Sequence, residues 1–508
     1  MMKETSLHIG GLAAALLTLI ASQVVGQAPK AASQAPQLEG KRTQHPYTSK
    51  KYSPGAAFEY TVYLSKYYTP GTPAALIVQF DSFNVQQTAA MEKLAGEGLA
   101  PPFVVIVAPA GTLEPTIAGG TRRGLRVENY DHIGPEFPNF LVEELIPEAV
   151  KVENLSISTN ADMHMTSGGS SGGTCAFNAC WYRNDYFRRA YLASPSFHAL
   201  AGADEFIVYA QRCEPRPIRV YMTFDEFESI VFSGSNYEAG LSAIRFLTVS
   251  GYDFRWQYFP GKGHTWGNND YDTQLNALGF IWKNWDSQPV AVLDYSKELS
   301  AVVDKGSPWQ AVAENTPLPQ RVTASVDGGT YEARGGEIWL VPRSGNRRKV
   351  ADGFSDISAL TVSSDLWRLY IGDRRQRYVL SMTIAADGSL KDLRRVNVLL
   401  LATDSSVIGA KDMVLDTHDH LYIATDAGVQ VATPGTYVQV ILPLPNDLPA
   451  DKVAFDGQTL YVTSGTRTFK RLLKVSGRAA GSSISQPSRA LDLKFITHPF
   501  VTGTNRQP

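Results

Sequence analysis

A glycine-rich turn around two serines constrains the fold more than any other feature of the sequence. Residues 167–173 read SGGSSGG; an apolar run at 163–165 precedes them and a helix-like stretch at 174–181 follows. A strand that passes sharply into a helix leaves no space for side chains two positions on either side of the turn, so glycines are needed there. The pattern predicts a nucleophile elbow, which presents a serine hydroxyl above a sheet for attack on a carbonyl group.

Two registers of the G-x-S-x-G pattern fit this segment, one centred on Ser170 and one on Ser171. We choose Ser170, because the amide of Ser171 would then open the helix and point at a developing oxyanion. In this register Gly173 also lets the helix approach the sheet closely. Ser171 remains the alternative nucleophile.

An acid and a histidine follow the elbow in the order that hydrolases on a doubly wound sheet require. A strand-like run at 218–222 leads to an acidic loop with Asp225 and Glu228, and a second run at 252–259 leads to His264. A glycine-punctuated loop past a strand lets the His264 imidazole reach over the sheet edge as the general base. We prefer Glu228 as the acid that orients it, with Asp225 as the alternative. If the segment were only a glycine-rich surface turn, we would not expect an acid and a histidine to follow it in this order.

These motifs resemble the enterochelin esterase and feruloyl esterase (esterase D-like) branch of the α/β-hydrolases, over about residues 51–285. The elbow of that family, G-x-S-x-G-G, matches residues 168–173 with Ser170 as the nucleophile. The resemblance implies an α/β-hydrolase fold with a doubly wound, mostly parallel sheet. The family's acid follows its strand as G-x-x-D, which corresponds to Glu228, a glutamate in place of the aspartate.

The resemblance also implies a second oxyanion donor. In that family it comes from a strand ending in an Asp-Gly pair, and here the run at 74–80 ends in Asp81-Ser82-Phe83. A serine replaces the family's glycine, and the corresponding donor is the backbone amide of Phe83. Three aromatic residues near the site are candidates for stacking on a sugar or phenolic ring, although core packing is the commoner use of such side chains: Tyr130, Phe197 and Trp266.

The beginning of the chain predicts export. Lys3 is followed by a mostly apolar run at 9–21, and Gly26 provides the small residue that a signal peptidase needs. We expect a signal peptide over residues 1–26 and a disordered leader, rich in Ala, Gln and Pro, over 27–45. The apolar run is shorter than the about 20 residues of a membrane span, so we expect a secreted or periplasmic protein without stable membrane insertion; an uncleaved anchor is the alternative.

The net charge and the cysteines limit which ligands, cofactors and disulfides we expect in this protein. A net charge of -2 without a basic stripe argues against nucleic acid. The sequence has 3 cysteines; a disulfide between Cys180 and Cys213 and a set of buried free thiols are both open. No spacing is typical of a zinc site, so we expect neither a metal nor another cofactor. The expected partner is a small-molecule or carbohydrate ester, and the sequence leaves the oligomeric state open.

The chain divides into two predicted domains. Strand-like and helix-like runs alternate over 46–285, which is typical of a parallel sheet covered on both faces. A Pro-containing linker is expected at 286–321 and a C-terminal tail at 478–508. Between them, residues 322–477 contain about four short segments in which a turn precedes an aromatic-centred strand, roughly every 30 to 50 residues, the interval of propeller blades. These segments lie at 335–341, 365–372, 419–425 and 457–463.

The second region resembles the gluconolactonase and senescence-marker-protein propellers, most clearly at 409–416 and 427–431. Those propellers bind a divalent metal through an aspartate in an Asp-Gly-Met element and an asparagine. Here Lys411 stands at the aspartate position and Ser358 near the asparagine position, and Asp412 would substitute only by a shift of register. A protonated lysine repels a metal and cannot bind it, so we expect an all-β, propeller-like, non-catalytic domain.

Three functions therefore compete. An exported serine esterase acting on a carbohydrate, phenolic-acid or siderophore ester explains Ser170, Glu228 and His264. A metal-dependent lactonase in the second region is the first alternative, and a non-catalytic envelope or carbohydrate-binding protein is the second.

Overall fold

The structure of the chain is a computed structural model. It describes residues 36–478, except for 199, 229, 232–233, 265–269, 315, 320–324, 327–328, 401–406 and 435–436. The predicted signal peptide and all of the predicted tail beyond Arg478 lie outside the described residues. None of the helices in the described ranges is long and apolar enough to cross a membrane.

The first half of the chain is built on one 10-stranded mixed sheet. From one edge to the other the order is β12-β9-β8-β7-β3-β4-β2-β5-β6, and β1 pairs with β2. Neighbours from β12 to β4 are parallel, whereas β2 is antiparallel to both β4 and β1. The sheet as a whole is therefore mixed, and the predicted parallel pairing holds for the strands from β12 to β4. The strands, with the short hairpin β10–β11, are Lys41–Thr48 (β1), Ala57–Leu64 (β2), Ala75–Phe80 (β3), Phe103–Ala108 (β4), Thr112–Leu113 (β5), Arg123–Gly124 (β6), His164–Gly169 (β7), Arg189–Ala193 (β8), Arg219–Phe227 (β9), Ile230–Val231 (β10), Gly234–Ser235 (β11) and Asp253–Gly263 (β12).

Helices cover both faces of this sheet. Leu76 and Val78 of β3 pack in one apolar cluster, and Ala75 and Ile77, which alternate with them, pack in another. Burial on both faces explains why β3 is almost continuously apolar instead of alternating. The helices are Val85–Gly96 (α1), Glu136–Phe140 (α2), Ile146–Glu153 (α3), Ser171–Tyr182 (α4), Ala203–Arg212 (α5), Asn236–Val249 (α6), Tyr271–Ile281 (α7) and Lys297–Val302 (α8), with π-helical turns at Val127–Asp131 and Leu141–Leu145 and 3-10 turns at Ala161–Met163 and Pro445–Asp447.

The described part of the second half contains 4 sheets of four antiparallel strands each. Each of the four predicted aromatic-centred segments contributes a strand to a different sheet, so the all-β expectation is confirmed. The strands are Gln310–Val312 (β13), Ser325–Val326 (β14), Gly329–Arg334 (β15), Glu337–Pro342 (β16), Arg348–Ala351 (β17), Ile357–Val362 (β18), Arg368–Asp373 (β19), Tyr378–Ile384 (β20), Leu390–Val398 (β21), Asp412–Leu415 (β22), Leu421–Thr425 (β23), Gly428–Ala432 (β24), Val438–Leu442 (β25), Lys452–Asp456 (β26), Thr459–Ser464 (β27) and Arg467–Leu472 (β28).

The predicted leader and the predicted linker both contribute elements of regular structure. The end of the predicted leader forms β1, which pairs with β2 over its whole length, from Lys41 opposite Leu64 to Thr48 opposite Ala57. The predicted linker contains α8 and also β13, which pairs with β28 and completes the last sheet. Neither β1 nor β13 has the continuous apolar sequence of a central strand. An edge strand is held mainly by backbone hydrogen bonds to its neighbour and buries fewer side chains.

The two halves share a hydrophobic core. One cluster of buried side chains contains Phe206 and Tyr209 of α5 together with Val438 and Ile441 of β25. A parallel β-bridge joins Cys213, directly after α5, to Ile441. The second half is therefore packed against the first and is not suspended from it by a linker.

The cysteines are buried free thiols, which decides between the two alternatives left open by the sequence. Cys180 lies on α4, where its sulfur is 3.2 Å from the Thr166 hydroxyl and 3.4 Å from the Arg189 carbonyl oxygen. Cys213 instead lies against the second half of the chain. The suggested pairing of Cys180 with Cys213 is thus wrong for this structure.

Candidate active site

Ser170 lies at a strained turn between a strand and a helix. Strand β7 ends at Gly169, helix α4 begins at Ser171, and Ser170 between them has φ 54° and ψ -125°. A residue other than glycine seldom adopts this backbone conformation, and it persists only where the surroundings enforce it. Two backbone bonds do so here: the Ser170 amide donates to the Ala193 carbonyl at 2.9 Å, and the Thr174 amide donates to the Ser170 carbonyl at 3.2 Å. The turn thus has the geometry predicted for the elbow.

Close contacts leave little space for a side chain at the two glycines of the elbow, Gly168 and Gly172. A side chain at Gly168 would collide with the backbone of Gly172, and a Cβ atom at Gly172 would lie 2.9 Å from the Asp81 carboxylate. Both positions have negative φ, so space and not conformation selects glycine there.

Ser170 and Ser171 differ in exposure and partners. Ser170 is partly exposed, whereas Ser171 is 6% exposed and its hydroxyl is hydrogen-bonded to Asp131. Burial raises the pKa of Asp131, although the Ser171 hydrogen bond opposes the rise. The Ser171 amide belongs to the first helical turn, where amides lack an acceptor within the helix. This arrangement favours Ser170 as the nucleophile and the Ser171 amide as an anion donor.

The predicted base and acid are in contact. His264 Nδ1 lies 2.5 Å from Glu228 Oε2. Glu228 directly follows β9 and His264 directly follows β12; because β9 and β12 are parallel neighbours, their carboxyl ends meet at one edge of the sheet. The His264 amide also donates to the Phe227 carbonyl at 3.1 Å, which anchors its loop there.

The environment of Glu228 favours its charged form. Its carboxylate has no exposed surface and accepts a hydrogen bond of 2.8 Å from the Asp225 amide. Burial alone would raise the pKa of Glu228, but hydrogen bonds from His264, Ser194 and the Asp225 amide outweigh it and lower that pKa. Asp225, the alternative acid, lies within β9 and supports Glu228 through its backbone. A buried, ionised carboxylate is suited to orient an imidazole and to stabilise its cation.

Ser170 is not yet hydrogen-bonded to the base. Among the described residues its hydroxyl lies against the hydroxyl of Ser196, at 3.0 Å. Strands β7, β8, β9 and β12 nevertheless end at the same edge of the sheet. Contact between a nucleophile and its base commonly tightens only when the substrate is bound.

The loop after β3 lies beside the elbow. Strand β3 pairs with β7, with Gln79 opposite Ser167, and Asp81 turns the chain with φ 68°. The Asp81 amide donates to the Tyr130 hydroxyl at 2.9 Å, and the Arg126 guanidinium is paired with the Asp81 carboxylate. A cavity of about 250 Å³ is lined by this loop and by the elbow, including Ser82, Phe83, Gly168 and Gly169. The structure therefore brings the Phe83 segment to the predicted site.

Two of the three predicted substrate-binding aromatics belong to the core instead. Tyr130 is 0% exposed and donates its hydroxyl hydrogen to the Ala108 carbonyl at 2.5 Å. Phe197 is 3% exposed and packs edge-on against Phe177. Side chains without exposed surface cannot stack on a ligand, so this expectation is corrected for both. Trp266 lies outside the described residues.

Potential metal ligands occur elsewhere in the chain. Within the described ranges, one group of side chains could hold a metal, formed by Asp416, His418 and His420 in the turn between β22 and β23. The Asp416 carboxylate already accepts hydrogen bonds from the His418 amide at 2.8 Å, the His420 amide at 2.9 Å and the His420 ring at 2.9 Å. These hydrogen bonds give Asp416 a structural role, because they hold the turn between β22 and β23 closed.

The positions compared with propeller metal ligands have other partners. Lys411 forms ion pairs with Asp426 and, at 3.1 Å, with Asp451. Burial would lower the pKa of Lys411, but the two carboxylates outweigh it and raise that pKa. The Ser358 hydroxyl donates to the Ala410 carbonyl at 2.5 Å, and Asp412 accepts the Val453 amide at 3.0 Å. The Lys411 ammonium group therefore provides the positive charge at the position where the compared propellers bind a metal cation.

Three further polar residues beside Ser170 were missed in the sequence: Ser194, Ser196 and Asn236. Ser194 directly follows β8, whose carboxyl end is adjacent to the elbow, Ser196 comes two residues later, and Asn236 is the first residue of α6. A polar cluster just after a parallel strand was the available signal. The contact with Ser170 itself depends on tertiary packing.

Comparison with known proteins gives similarity only to solved structures. No protein-family model and no curated protein matches the sequence. A ferulic acid esterase is 14% identical with a TM-score of 0.38, over 48% of this chain and 98% of that one. The enterobactin esterase FES from Shigella flexneri is 17% identical with a TM-score of 0.35, over 48% of this chain and 60% of that one. The siderophore hydrolase EstB from Aspergillus nidulans is 12% identical with a TM-score of 0.37, over 52% of this chain and 100% of that one.

Proposed function

We propose that the chain is an exported carboxylic ester hydrolase of the α/β-hydrolase type that acts through Ser170, His264 and Glu228. The observation that carries the proposal is the hydrogen bond between His264 and the buried Glu228, at the sheet edge where the strained Ser170 turn also lies. A carboxylate that orients an imidazole, at the same sheet edge as a partly exposed serine, supplies the groups that activate a hydroxyl for acyl transfer.

The reaction would proceed through an acyl-enzyme. His264 accepts the Ser170 proton while Oγ bonds to the ester carbonyl carbon, and the negative charge moves to the carbonyl oxygen. The amides of Ser171 and Phe83 are the proposed donors to this oxyanion. Collapse breaks the bond to the alcohol, which leaves with the proton from His264. Water, deprotonated by the same imidazole, then releases the acid and restores Ser170.

Carbohydrate, phenolic-acid and siderophore esters are the proposed substrate classes, in a secreted or periplasmic setting. The signal-peptide pattern at residues 1–26 supports export. The cavity beside the elbow has a mixed lining, and its polar residues, among them Ser82 and Asn84, are compatible with hydroxylated substrates.

For the second half we propose a small β-propeller that supports the esterase and has no catalytic role. The first strands of successive sheets, β18, β22 and β26, contact one another in turn. Strand β13, from the N-terminal side, completes the sheet of the last three strands, and this pairing supports an arrangement of the sheets as blades. A metal-dependent lactonase is not favoured, because Lys411 is paired with two carboxylates where a cation would be needed.

The test is hydrolysis of p-nitrophenyl acetate and methyl ferulate by the mature protein. We expect Ser170→Ala to lose at least about 10³-fold in kcat. Ser171→Ala and a chelator-treated sample are the matched controls and should keep most of the activity. Full activity in Ser170→Ala, or loss on chelation, would refute the serine mechanism.

A further inference from the structure

The hydroxyl of Ser170 contacts a residue other than the proposed base. Ser196 Oγ lies 3.0 Å from Ser170 Oγ, and the Ser196 amide donates to the Ser170 carbonyl at 3.2 Å. Ser196 is 2% exposed, so its hydroxyl is held in the protein interior. A buried hydroxyl in contact with a nucleophilic atom needs a defined direction of donation.

Asn236 sets that direction. Its Nδ2 group donates to the Ser194 carbonyl at 3.3 Å and to Ser196 Oγ at 3.4 Å. A carbonyl oxygen can only accept, so the amide nitrogen must face Ser194 and Ser196. The side chain of His198 is hydrogen-bonded to Asn236 as well. Because Asn236 donates to Ser196, the hydrogen of the Ser196 hydroxyl is left to donate to Ser170.

We propose that Ser196 is a further catalytic residue that donates a hydrogen bond to Ser170 Oγ, and that Asn236 is the positioning residue that orients it. This inference rests on the proposed esterase function. With Ser196 as donor, Ser170 Oγ is an acceptor there, and its own hydrogen is directed elsewhere, toward His264. Asn236 and Ser196 thus orient the Ser170 hydroxyl so that its hydrogen is available to His264.

The same hydrogen bond acts in deacylation. When the second tetrahedral intermediate collapses, the bond between the acyl carbon and Ser170 Oγ breaks, the electron pair moves to Oγ, and His264 returns a proton to it. A hydrogen bond from Ser196 stabilises the charge that develops on Oγ during this step, as a donor to any departing oxygen does. Loss of Ser196 therefore slows release of the acyl group.

The test compares Ser196→Ala with Ser196→Thr in pre-steady-state hydrolysis of p-nitrophenyl acetate. We expect Ser196→Ala to lower kcat about 3- to 10-fold, as removal of one neutral hydrogen bond does, with KM unchanged or lower and a larger p-nitrophenol burst as acyl-enzyme accumulates. Ser196→Thr keeps the hydroxyl and should recover kcat. Ser250→Ala is the matched control, because Ser250 is 1% exposed and its hydroxyl donates to the Gln211 carbonyl instead.

A second variant tests the direction of donation. Asn236→Asp replaces the donor by a carboxylate that can only accept, so Ser196 would donate to it and turn away from Ser170. We expect a lower kcat in Asn236→Asp than in Asn236→Ala, and slower labelling by a fluorophosphonate. Wild-type kcat and burst in Ser196→Ala, with Ser170→Ala inactive, would overturn this inference alone. Activity retained in Ser170→Ala would overturn the proposed function as well.

Discussion

Arg216 and Asp447 form an ion pair across the two halves of the chain. Arg216 Nη2 lies 2.5 Å from Asp447 Oδ1, and Nη1 lies 3.2 Å from Oδ2. The same guanidinium is hydrogen-bonded to the Trp181 carbonyl and lies 4.3 Å from the centre of the Trp181 ring. Trp181 is on α4, the helix that begins directly after Ser170. The second half is therefore linked through one arginine to the helix that carries the elbow.

Removal of Asp447 should destabilise the whole protein. In Asp447→Ala the Arg216 charge, with a side chain 18% exposed, loses its bidentate partner, and we expect a loss of about 2 kcal/mol in the free energy of unfolding. Chemical denaturation measures it. Asp304→Ala is the control, because Asp304 pairs with Lys474 at a site where its side chain is 73% exposed, and we expect less than about 1 kcal/mol there. Equal effects in the two variants would contradict the role of Arg216.

Truncation after residue 285 should not yield a stable esterase. The cut removes Val438 and Ile441 from the cluster that also contains Phe206, and so exposes apolar surface of α5. We expect aggregation, or a melting temperature well below that of the full chain. A soluble truncated protein that melts like the full chain would show the two halves to be independent.

Gly168 and Gly279 should respond in opposite ways to alanine. A Cβ atom at Gly168 meets the backbone of Gly172 at the elbow, so we expect Gly168→Ala to cost about 3 kcal/mol or more and to lower activity. Gly279 lies in α7 with no atom within 4 Å of the added Cβ, so Gly279→Ala should stabilise the protein by up to about 1 kcal/mol. Thermal melts of both variants check this. A tolerated alanine at Gly168 would contradict the tight elbow.

The contribution of Glu228 to stability should disappear at acidic pH. Its folded-state pKa is lowered from the ordinary value of 4.5, so its charge stabilises the fold fully above that value and ceases to do so as pH falls through the lowered pKa. We expect the difference in unfolding free energy between wild type and Glu228→Gln to be constant above about pH 5 and to shrink below it. Denaturation curves at a series of pH values measure this difference. A difference that stays constant into strongly acidic solution would contradict a charged Glu228.

Local chemistry made much of the first half predictable. The glycines at 168–173 permit only a tight turn between strand and helix, and the apolar runs at β3 and β4 predict strands covered on both faces. The positions of Glu228 and His264, each just past a strand, followed from the chain order alone. The strand β1 and the strand β13 were missed, because pairing at an edge depends on a partner distant in sequence.

The sequence by itself determined the two regions, the elbow and the order of the candidate residues, since these depend on periodicity and on the small size of glycine. Only the tertiary structure decided that Glu228 contacts His264, that Ser196 contacts Ser170, and that Tyr130 and Phe197 are core residues. It also decided that Cys180 and Cys213 stay free and that Arg216 joins the two halves. The residues in these contacts are tens to hundreds of positions apart in the sequence. They meet only when the sheets and helices pack against one another, so local sequence patterns do not reveal the contacts.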